Sequence, residues 1–367
     1  MHNRSAVEKN DLMRRRILAV QQLIVDRGGD ALVTMHAANV RYLTGFYGVS
    51  DAEREALVFV PAKGNTKLLV PIMYSEKAKM LDVVLQNKIE LIVDVDRIGL
   101  HALLANVLKD ETPRVLLVEE HDLSVLEWKR IGGKSGIKLS DGGRLIERCR
   151  MIKDEYELTC IQKAIEITKE LFQLVEKNVL TNTSSFTEIS AANFLQSEAI
   201  RLGADGMAFP PIVASGIGTS HPHYVPQHIQ LPKNGIVLVD VGATYRGYCG
   251  DMTRCFFIGK VEESYRTAYK KIQRIQSACA AAVRAGVTGK QLYNTLQQSF
   301  MYEGLEQKMP HSLGHGIGLE IHEDPLLRPL EDQILLNNTV VTIEPGYYEA
   351  GKFGVRYEDA IVVRSTE

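Results

Sequence analysis

The chain has 367 residues, 45% of them hydrophobic, 24% charged and 7% aromatic, which is enough for two ordinary domains with separate cores and unlike a disordered or fibrous protein. Lys and Arg number 43 against 45 Asp and Glu, a formal net charge of -2, so there is no excess positive field to hold a nucleic-acid backbone. The opening MHNRSAVEKNDLMRRRIL is polar and charged, and no run of about 18 apolar residues follows, so neither a signal peptide nor a membrane span is expected and the protein is read as cytoplasmic.

In chain order, the spacing of Leu12, Ile17, Leu18, Val20, Leu23 and Ile24 predicts a helix from about Val7 to Asp26, stopped at Gly28-Gly29. Strands are predicted at Asp30 to Met35 and, as a hairpin around Pro-Ala-Lys-Gly-Asn, at Ala56 to Val60 and Thr66 to Pro71. Further strands at Ile89 to Val95 and Val115 to Glu119 flank a helix at Leu100 to Leu108, an alternation that indicates an α/β domain ending near residue 150. The charged run from Arg148 to Glu157 then leads into a long amphipathic helix reaching about Leu180. Ser185-Phe-Thr-Glu188 reads as a capping box opening a helix to about Leu202, and Thr288-Gly-Lys-Gln291 as another opening a helix that ends near Gly304. Short strands at Ile236 to Val241, Thr253 to Ile258, Val340 to Ile343 and Val355 to Val363 suit an antiparallel sheet, so residues 151–367 read as α+β. The five cysteines, Cys149, Cys160, Cys249, Cys255 and Cys279, lack CxxC spacing and read as small core residues of a reducing compartment, Cys249 and Cys255 being oxidation-sensitive if exposed.

Five candidate metal ligands lie on or beside strands of the second half. Asp240 and Asp251, in VDVGATYRGYCGDMTR, are joined by a connection containing Gly242, Gly247 and Gly250 that can bring both carboxylates to one place. His315 lies in HSLGHGIGLEIHE with His311 and His322, among glycines where backbone can approach a ligand closely. Glu344 in VTIEPGYY and Glu358 in GVRYEDA end or interrupt apolar runs, which implies that they point inward, where a charged carboxylate needs a cation or a proton. Four carboxylates balance two divalent ions, with a neutral imidazole completing the set. Such oxygen-rich ligation suits Mn²⁺ first, with Co²⁺ or Zn²⁺ as alternatives. Two ions roughly 3.5–4 Å apart share a bridging hydroxide in two-metal hydrolases, so hydrolysis is the expected reaction class. Taken singly, any of these acids is more often a surface charge or a cap.

On these motifs, on VRYLTGF at Val40 to Phe46 and on the segment from Arg150 to Glu157, nearly the whole chain resembles the pita-bread metallopeptidases of the Xaa-Pro aminopeptidase and prolidase kind. The resemblance implies an α/β creatinase-like amino-terminal domain at 1–150 and an α+β pita-bread (creatinase/aminopeptidase) catalytic domain at 151–367. It places Asp240, Asp251, His315, Glu344 and Glu358 on the five ligand positions, with Asp251 and Glu358 bridging two ions and Glu344 also accepting a proton from the attacking water. His223, His311 and His322 fall on positions that bind substrate, steady the tetrahedral intermediate and protonate the leaving nitrogen. Tyr348 and Arg356 fall on positions that support the ligands or line the site. Tyr357, where the family has an aliphatic residue, and Pro210, where an acid is frequent, depart from the pattern without touching a ligand.

The implied substrates are X-Pro dipeptides or peptides with proline second, and the implied assembly is a homodimer. Dipeptidase and aminopeptidase share every residue named, so the sequence leaves that choice open. Two other readings were weighed: a related hydrolase or lyase on a small non-peptide substrate, as in metal-independent creatinase, and an inactive binding module of the same fold. Neither has need of all five ligands, and all five are present. Methionine aminopeptidase lacks the first 150 residues' counterpart.

Overall fold

The computed structural model describes residues 2–49, 53–132, 136–305 and 309–365, with side chains from residue 12 onward. It divides into two compact units, 1–150 and 151–367.

The first unit is a six-stranded mixed sheet. Its strands are β1 (Ala31–Thr34), β2 (Leu57–Pro61), β3 (Lys67–Pro71), β4 (Glu90–Asp94), β5 (Val115–Val118) and β6 (Lys138–Asp141), in the order β4-β3-β2-β1-β5-β6. The central strands are buried on both faces, which is why they read as unbroken apolar runs rather than as alternating ones. The helices are α1 (His2–Asp26), α2 (Ala37–Thr44), α3 (Ser75–Lys79), α4 (Asp82–Leu85), α5 (Leu100–Glu111), α6 (Val125–Gly132) and α7 (Leu145–Met151). Ala31, Val33, Phe59 and Leu116 pack with Leu104 and Val107 of α5. In α1, Ile17, Val20 and Ile24 are buried as expected, but Leu18 faces solvent, one residue off the apolar stripe. VRYLTGF forms most of α2, which ends at Gly45 in the left-handed conformation at φ 74°.

This unit also buries a polar cluster. Glu119 accepts hydrogen bonds from Thr34 Oγ1 (2.5 Å) and Asn39 Nδ2 (2.6 Å). The same amide reaches Glu147 (3.1 Å), which is paired with His121 at 2.9 Å, while Arg150 Nη1 donates to Asn39 Oδ1 at 2.8 Å.

The second unit carries α8 (Glu155–Leu174), α9 (Glu188–Arg201), α10 (Glu263–Ala282) and α11 (Gly289–Tyr302). Its strands are β7 (Gly206–Met207), β8 (Ile212–Ser215), β9 (Gly235–Val241), β10 (Ala243–Tyr245), β11 (Tyr248–Cys249), β12 (Met252–Ile258), β13 (Gly314–Gly316), β14 (Glu323–Leu327), β15 (Val340–Ile343), β16 (Gly346–Glu349), β17 (Phe353–Arg356) and β18 (Glu358–Val362). Seven of them make an antiparallel sheet in the order β14-β13-β15-β18-β12-β9-β8. Alternation along β9 sends Val237 and Val239 to a core with α8 and α9, and Ile236 and Leu238 to a core with α10 and α11.

Three boundaries differ from expectation. The expected strand from Val355 to Val363 is broken at Tyr357, so that β17 pairs with β16 while β18 joins the large sheet. The long helix stops at Leu174 and continues as a π turn (Val175–Val179) and a 3-10 turn (Leu180–Ser185). The box opening α9 is formed by Thr187 and Ser190, not Ser185 and Glu188, because the Glu188 carboxylate is engaged elsewhere. The Thr288 and Gln291 box forms as read. All five cysteines are free, and Cys249 and Cys255 are buried.

Candidate metal centre

Five consecutive strands of the large sheet bring the candidate ligands together. His315 is on β13, Glu344 directly follows β15, Glu358 opens β18, Asp251 directly precedes β12, and Asp240 is on β9. The register explains the convergence: Thr253 of β12 pairs with Asp240 on one side and Glu358 on the other, so the three form a row across the sheet. Asp251, two residues before Thr253, points to the same face. That face is the one on which Ile236 and Leu238 join the core, which is why a row of acids here lies inside the protein.

Asp251, His315 and Glu358 are buried, and each offers a ligand atom within 4.8 Å of the others. His315 Nδ1 lies 3.1 Å from Gly316 O, and a carbonyl can only accept, so the ring proton is on Nδ1. The Nε2 lone pair therefore faces Asp251 Oδ2 at 3.7 Å and Glu344 Oε1 at 3.5 Å. Three electron-rich atoms turned toward one another repel unless a cation or a proton lies between them. Ligands about 2.1 Å from one tetrahedral ion stand about 3.4 Å apart, close to these separations.

Charge tells the same story. Burial, followed by the Glu358 and Asp240 charges, holds Asp251 well above the usual carboxylate range. Burial and then Glu358 do the same to Glu344, and burial and then Asp240 push Glu358 up to about 8. Burial lowers His315 to about 4, leaving it the neutral ligand a metal requires. Asp240 Oδ1 is buried with no hydrogen-bond partner, while its Oδ2 accepts from Arg356 Nη2 at 2.6 Å. The donor set and its excess of negative charge fit divalent cations.

A layer behind the acids orients them. Arg356 Nε donates to Thr253 Oγ1 (3.0 Å), which donates to Glu358 Oε2 (2.6 Å). Arg356 Nη1 donates to Tyr348 Oη at 2.9 Å and to Pro222 O at 3.3 Å. His311 Nδ1 faces Ser312 O at 2.9 Å, so its proton is there and Nε2 accepts from the Tyr348 hydroxyl at 2.9 Å. His311 Nδ1 is also 3.7 Å from Glu344 Oε2. Burial opposes the Arg356 charge, but Tyr348, Asp240, Glu358 and Glu344 together more than offset it.

Of the two expectations for Tyr348 and Arg356, that they support the ligands fits this geometry better than that they line the site and bind substrate. Both are buried, and all three guanidinium nitrogens of Arg356 are occupied by the protein. His223 and His322 are exposed beside the acids. His322 packs edge-on against His315 with ring centroids 4.3 Å apart and is lowered by burial first and by His223 next, while His223 follows Pro222, whose carbonyl accepts from Arg356. Burial, then Arg356, lowers His311 to about 4, so it is a neutral donor and acceptor rather than an imidazolium.

The glycines around His315 serve the backbone rather than a ligand: a Cβ on Gly314 would stand 1.9 Å from Thr342 O, and one on Gly316 would stand 2.4 Å from Asp324 O. Sequence reasoning missed Thr253, although its place two residues after Asp251 on a strand was a usable signal. It also missed the role of Lys153, inside the charged run from Arg148 to Glu157, whose buried ammonium pairs with Glu323 at 2.8 Å.

The model of metallopeptidase family M24 matches residues 159–365, and that of the creatinase/prolidase N-terminal domain matches residues 16–152. An uncharacterized peptidase of Methanocaldococcus jannaschii is 38% identical over 223 residues, 60% of this chain and 62% of that protein's length. Among solved structures, a Xaa-Pro dipeptidase from Bacillus anthracis is similar with a TM-score of 0.88 and 27% identity, over 96% of this chain and 95% of that one. An X-Pro aminopeptidase from Thermotoga maritima is similar with a TM-score of 0.80 and 30% identity, over 92% and 94% respectively.

Proposed function

The chain belongs to metallopeptidase family M24, with a creatinase/prolidase N-terminal domain ahead of a pita-bread catalytic domain, and we propose that it hydrolyses the bond between an N-terminal residue and a following proline. The observation that carries this reading is the neutral imidazole of His315 turned toward the carboxylates of Asp251 and Glu344 in a pocket shared with Glu358 and Asp240. Structures similar over nearly the full chain are an Xaa-Pro dipeptidase and an X-Pro aminopeptidase, so either substrate length suits the reading.

An X-Pro bond is a tertiary amide without an N–H, and the ring fixes φ near −65°, so a site that reads an extended hydrogen-bonded substrate handles it badly. Two divalent ions, Mn²⁺ before Co²⁺ or Zn²⁺, held by Asp240, Asp251, His315, Glu344 and Glu358, would supply the charge that polarises the carbonyl and activates water without that N–H. The protein's own groups do the rest. Glu344, ligand and base, takes the proton of the attacking water. His223 and His322, exposed beside the acids, hold the substrate and hand a proton to the departing imino nitrogen. His311 is a neutral partner of Glu344 and Tyr348 that keeps the base in place, and Arg356, with Tyr348, orients Asp240 and Glu358. No helix among the described residues is long and apolar enough to cross a membrane. The same reading makes the protein a cytoplasmic homodimer with reduced cysteines, which a monomer in sedimentation at micromolar concentration contradicts.

The test is to incubate the Mn²⁺-loaded protein with Ala-Pro and with a longer Ala-Pro-X peptide and to identify the products. Cleavage of the dipeptide alone makes it a dipeptidase. Release of alanine from the longer peptide makes it an aminopeptidase. If neither is cut with Mn²⁺, Co²⁺ or Zn²⁺, the proposal fails.

A further inference from the structure

We propose that Glu188 is a positioning residue for this reaction: its buried carboxylate holds both ends of segment 215–227 and so sets where His223 stands beside the acidic pocket. The inference rests on the peptidase reading above for what His223 does, and on geometry alone for how His223 is held.

Glu188 is the first residue of α9, where an acid ordinarily faces solvent and favours the positive end of the helix. Here it is fully buried. Capping does not explain it, because Thr187 and Ser190 already satisfy each other's backbone N–H groups. No Lys or Arg pairs with it among the described residues. Its charge is met instead by four donors. Oε1 accepts from Ser215 N (2.8 Å) and Ser215 Oγ (2.6 Å), and Oε2 accepts from Tyr224 Oη (2.8 Å) and Gln227 N (3.0 Å). Charge-assisted bonds of this kind are about twice as strong as neutral ones, and a carboxylate is the one side chain that can accept all four at once.

The two oxygens divide the work. One holds the start of the segment, where β8 ends, and the other holds its finish; the backbone N–H groups of Glu188 and Ile189 add bonds to Ile229 O and Gln227 O. Between these anchors the middle of the segment is tied to β17, with Gly354 N donating to Thr219 Oγ1 at 2.8 Å and Arg356 Nη1 donating to Pro222 O. His223 therefore has Pro222, fixed by Arg356, on one side and Tyr224, fixed by Glu188, on the other. Its own ring makes no hydrogen bond among the described residues, so its place is set by those neighbours. Groups misplaced by about 1 Å lose on the order of 100-fold in rate, which is why the anchor matters to the chemistry without touching substrate.

The experiment combines hydrogen exchange with a double-mutant cycle on the full-length, metal-loaded protein. In Glu188→Gln, amides of 212–229 are expected to exchange faster than in wild type while the rest of residues 151–367 is unchanged and metal content is retained. The kcat/KM for the cleaved X-Pro substrate is expected to fall about 100-fold. In a His223→Ala background, the same change is expected to cost less than about threefold, because the anchor acts through His223. Ser215→Ala, which removes one of the four donors, shifts every readout in the same direction by a smaller amount and takes the place of Glu188→Gln if that variant does not fold. Unchanged exchange in 212–229, or losses that simply multiply in the double variant, overturn the proposal. Should wild type cut no X-Pro substrate, the peptidase reading falls by itself. The exchange pattern and the ring NMR signal of His223, expected to move while that of His315 stays, then decide whether Glu188 places this histidine.

Discussion

Residues 1–150 bury Glu119 and Glu147 against a hydroxyl, an imidazole and an amide that is itself held by a guanidinium, whereas residues 151–367 bury Asp240, Asp251 and Glu358 beside Glu344 with one guanidinium and two neutral imidazoles among them. In the first unit the two carboxyls separate. Burial opposes charge on Glu147, but the hydrogen bonds from His121, from a backbone N–H and from Asn39, with the His121 charge, together outweigh it and bring the group down to about 2. Burial, followed by the Glu147 charge, raises Glu119 to about 7, so one acid keeps its charge and the other keeps its proton. In the second unit Asp251, Glu344 and Glu358 all move upward together, burial acting first on each and a neighbouring acid next. Burial of an acid is thus no signature of metal binding. The distinguishing feature is whether the chain supplies enough donors of its own.

The sharpest way to break this contrast is to remove one acid from each unit. Asp251→Asn is expected to lower kcat/KM on Ala-Pro by about 10³-fold or more and to reduce bound metal measured by elemental analysis. Glu147→Gln is expected to leave the metal content unchanged. Equal metal loss in both variants would abolish the distinction.

A smaller effect, on stability alone, is expected from Glu147→Ala. It takes one partner from the buried Asn39 and the partner of the exposed His121, and is expected to cost about 2 kcal/mol in urea unfolding, with no rescue by Mn²⁺.

The pH dependence of the first unit has a defined sign. Glu119 binds its proton more tightly folded than unfolded, so its contribution to stability is fully present below about 4.5 and is lost as pH rises through about 7. Glu147 acts in the opposite sense, its contribution being present above about 4.5 and lost as pH falls through about 2. Between pH 4.5 and 7, wild type should therefore lose up to about 3 kcal/mol relative to Glu119→Gln, measured by urea melts of metal-free protein. Parallel stability curves for the two proteins would remove Glu119 as the cause.

The smallest effect concerns the layer behind the acids. Thr253→Val keeps the strand and the shape but takes a hydrogen bond from Glu358, and is expected to weaken metal binding about tenfold without unfolding the protein. An unchanged affinity by calorimetry would show that Arg356 alone keeps the row in order.

Much of the frame is legible in residue order. The apolar runs of β1, β5 and β9, the Thr288 box and the two-domain alternation each follow from local pattern, because strand and helix periods are properties of neighbouring residues. Where two patterns competed, local reading erred. The stretch from Val355 to Val363 is continuous in its apolar residues, yet it serves two sheets and breaks at Tyr357. Ser185 to Glu188 has the spacing of a cap, yet Glu188 finds stronger partners at Ser215, Tyr224 and Gln227, which are distant in sequence.

The chain's residues alone determined that several acids and one histidine sit in apolar surroundings on strands, because burial of charge leaves its mark in the flanking residues. They also determined the family, through motifs spread over nearly the whole length. Only tertiary structure decided which groups meet: the strand register aligned Asp240, Thr253 and Glu358, and the carbonyl of Gly316 turned the His315 lone pair toward Asp251 and Glu344. Those outcomes depend on bonds between distant positions, such as Arg356 with Asp240, 116 residues apart, and no periodicity in a one-dimensional string encodes the angle at which two such groups face each other.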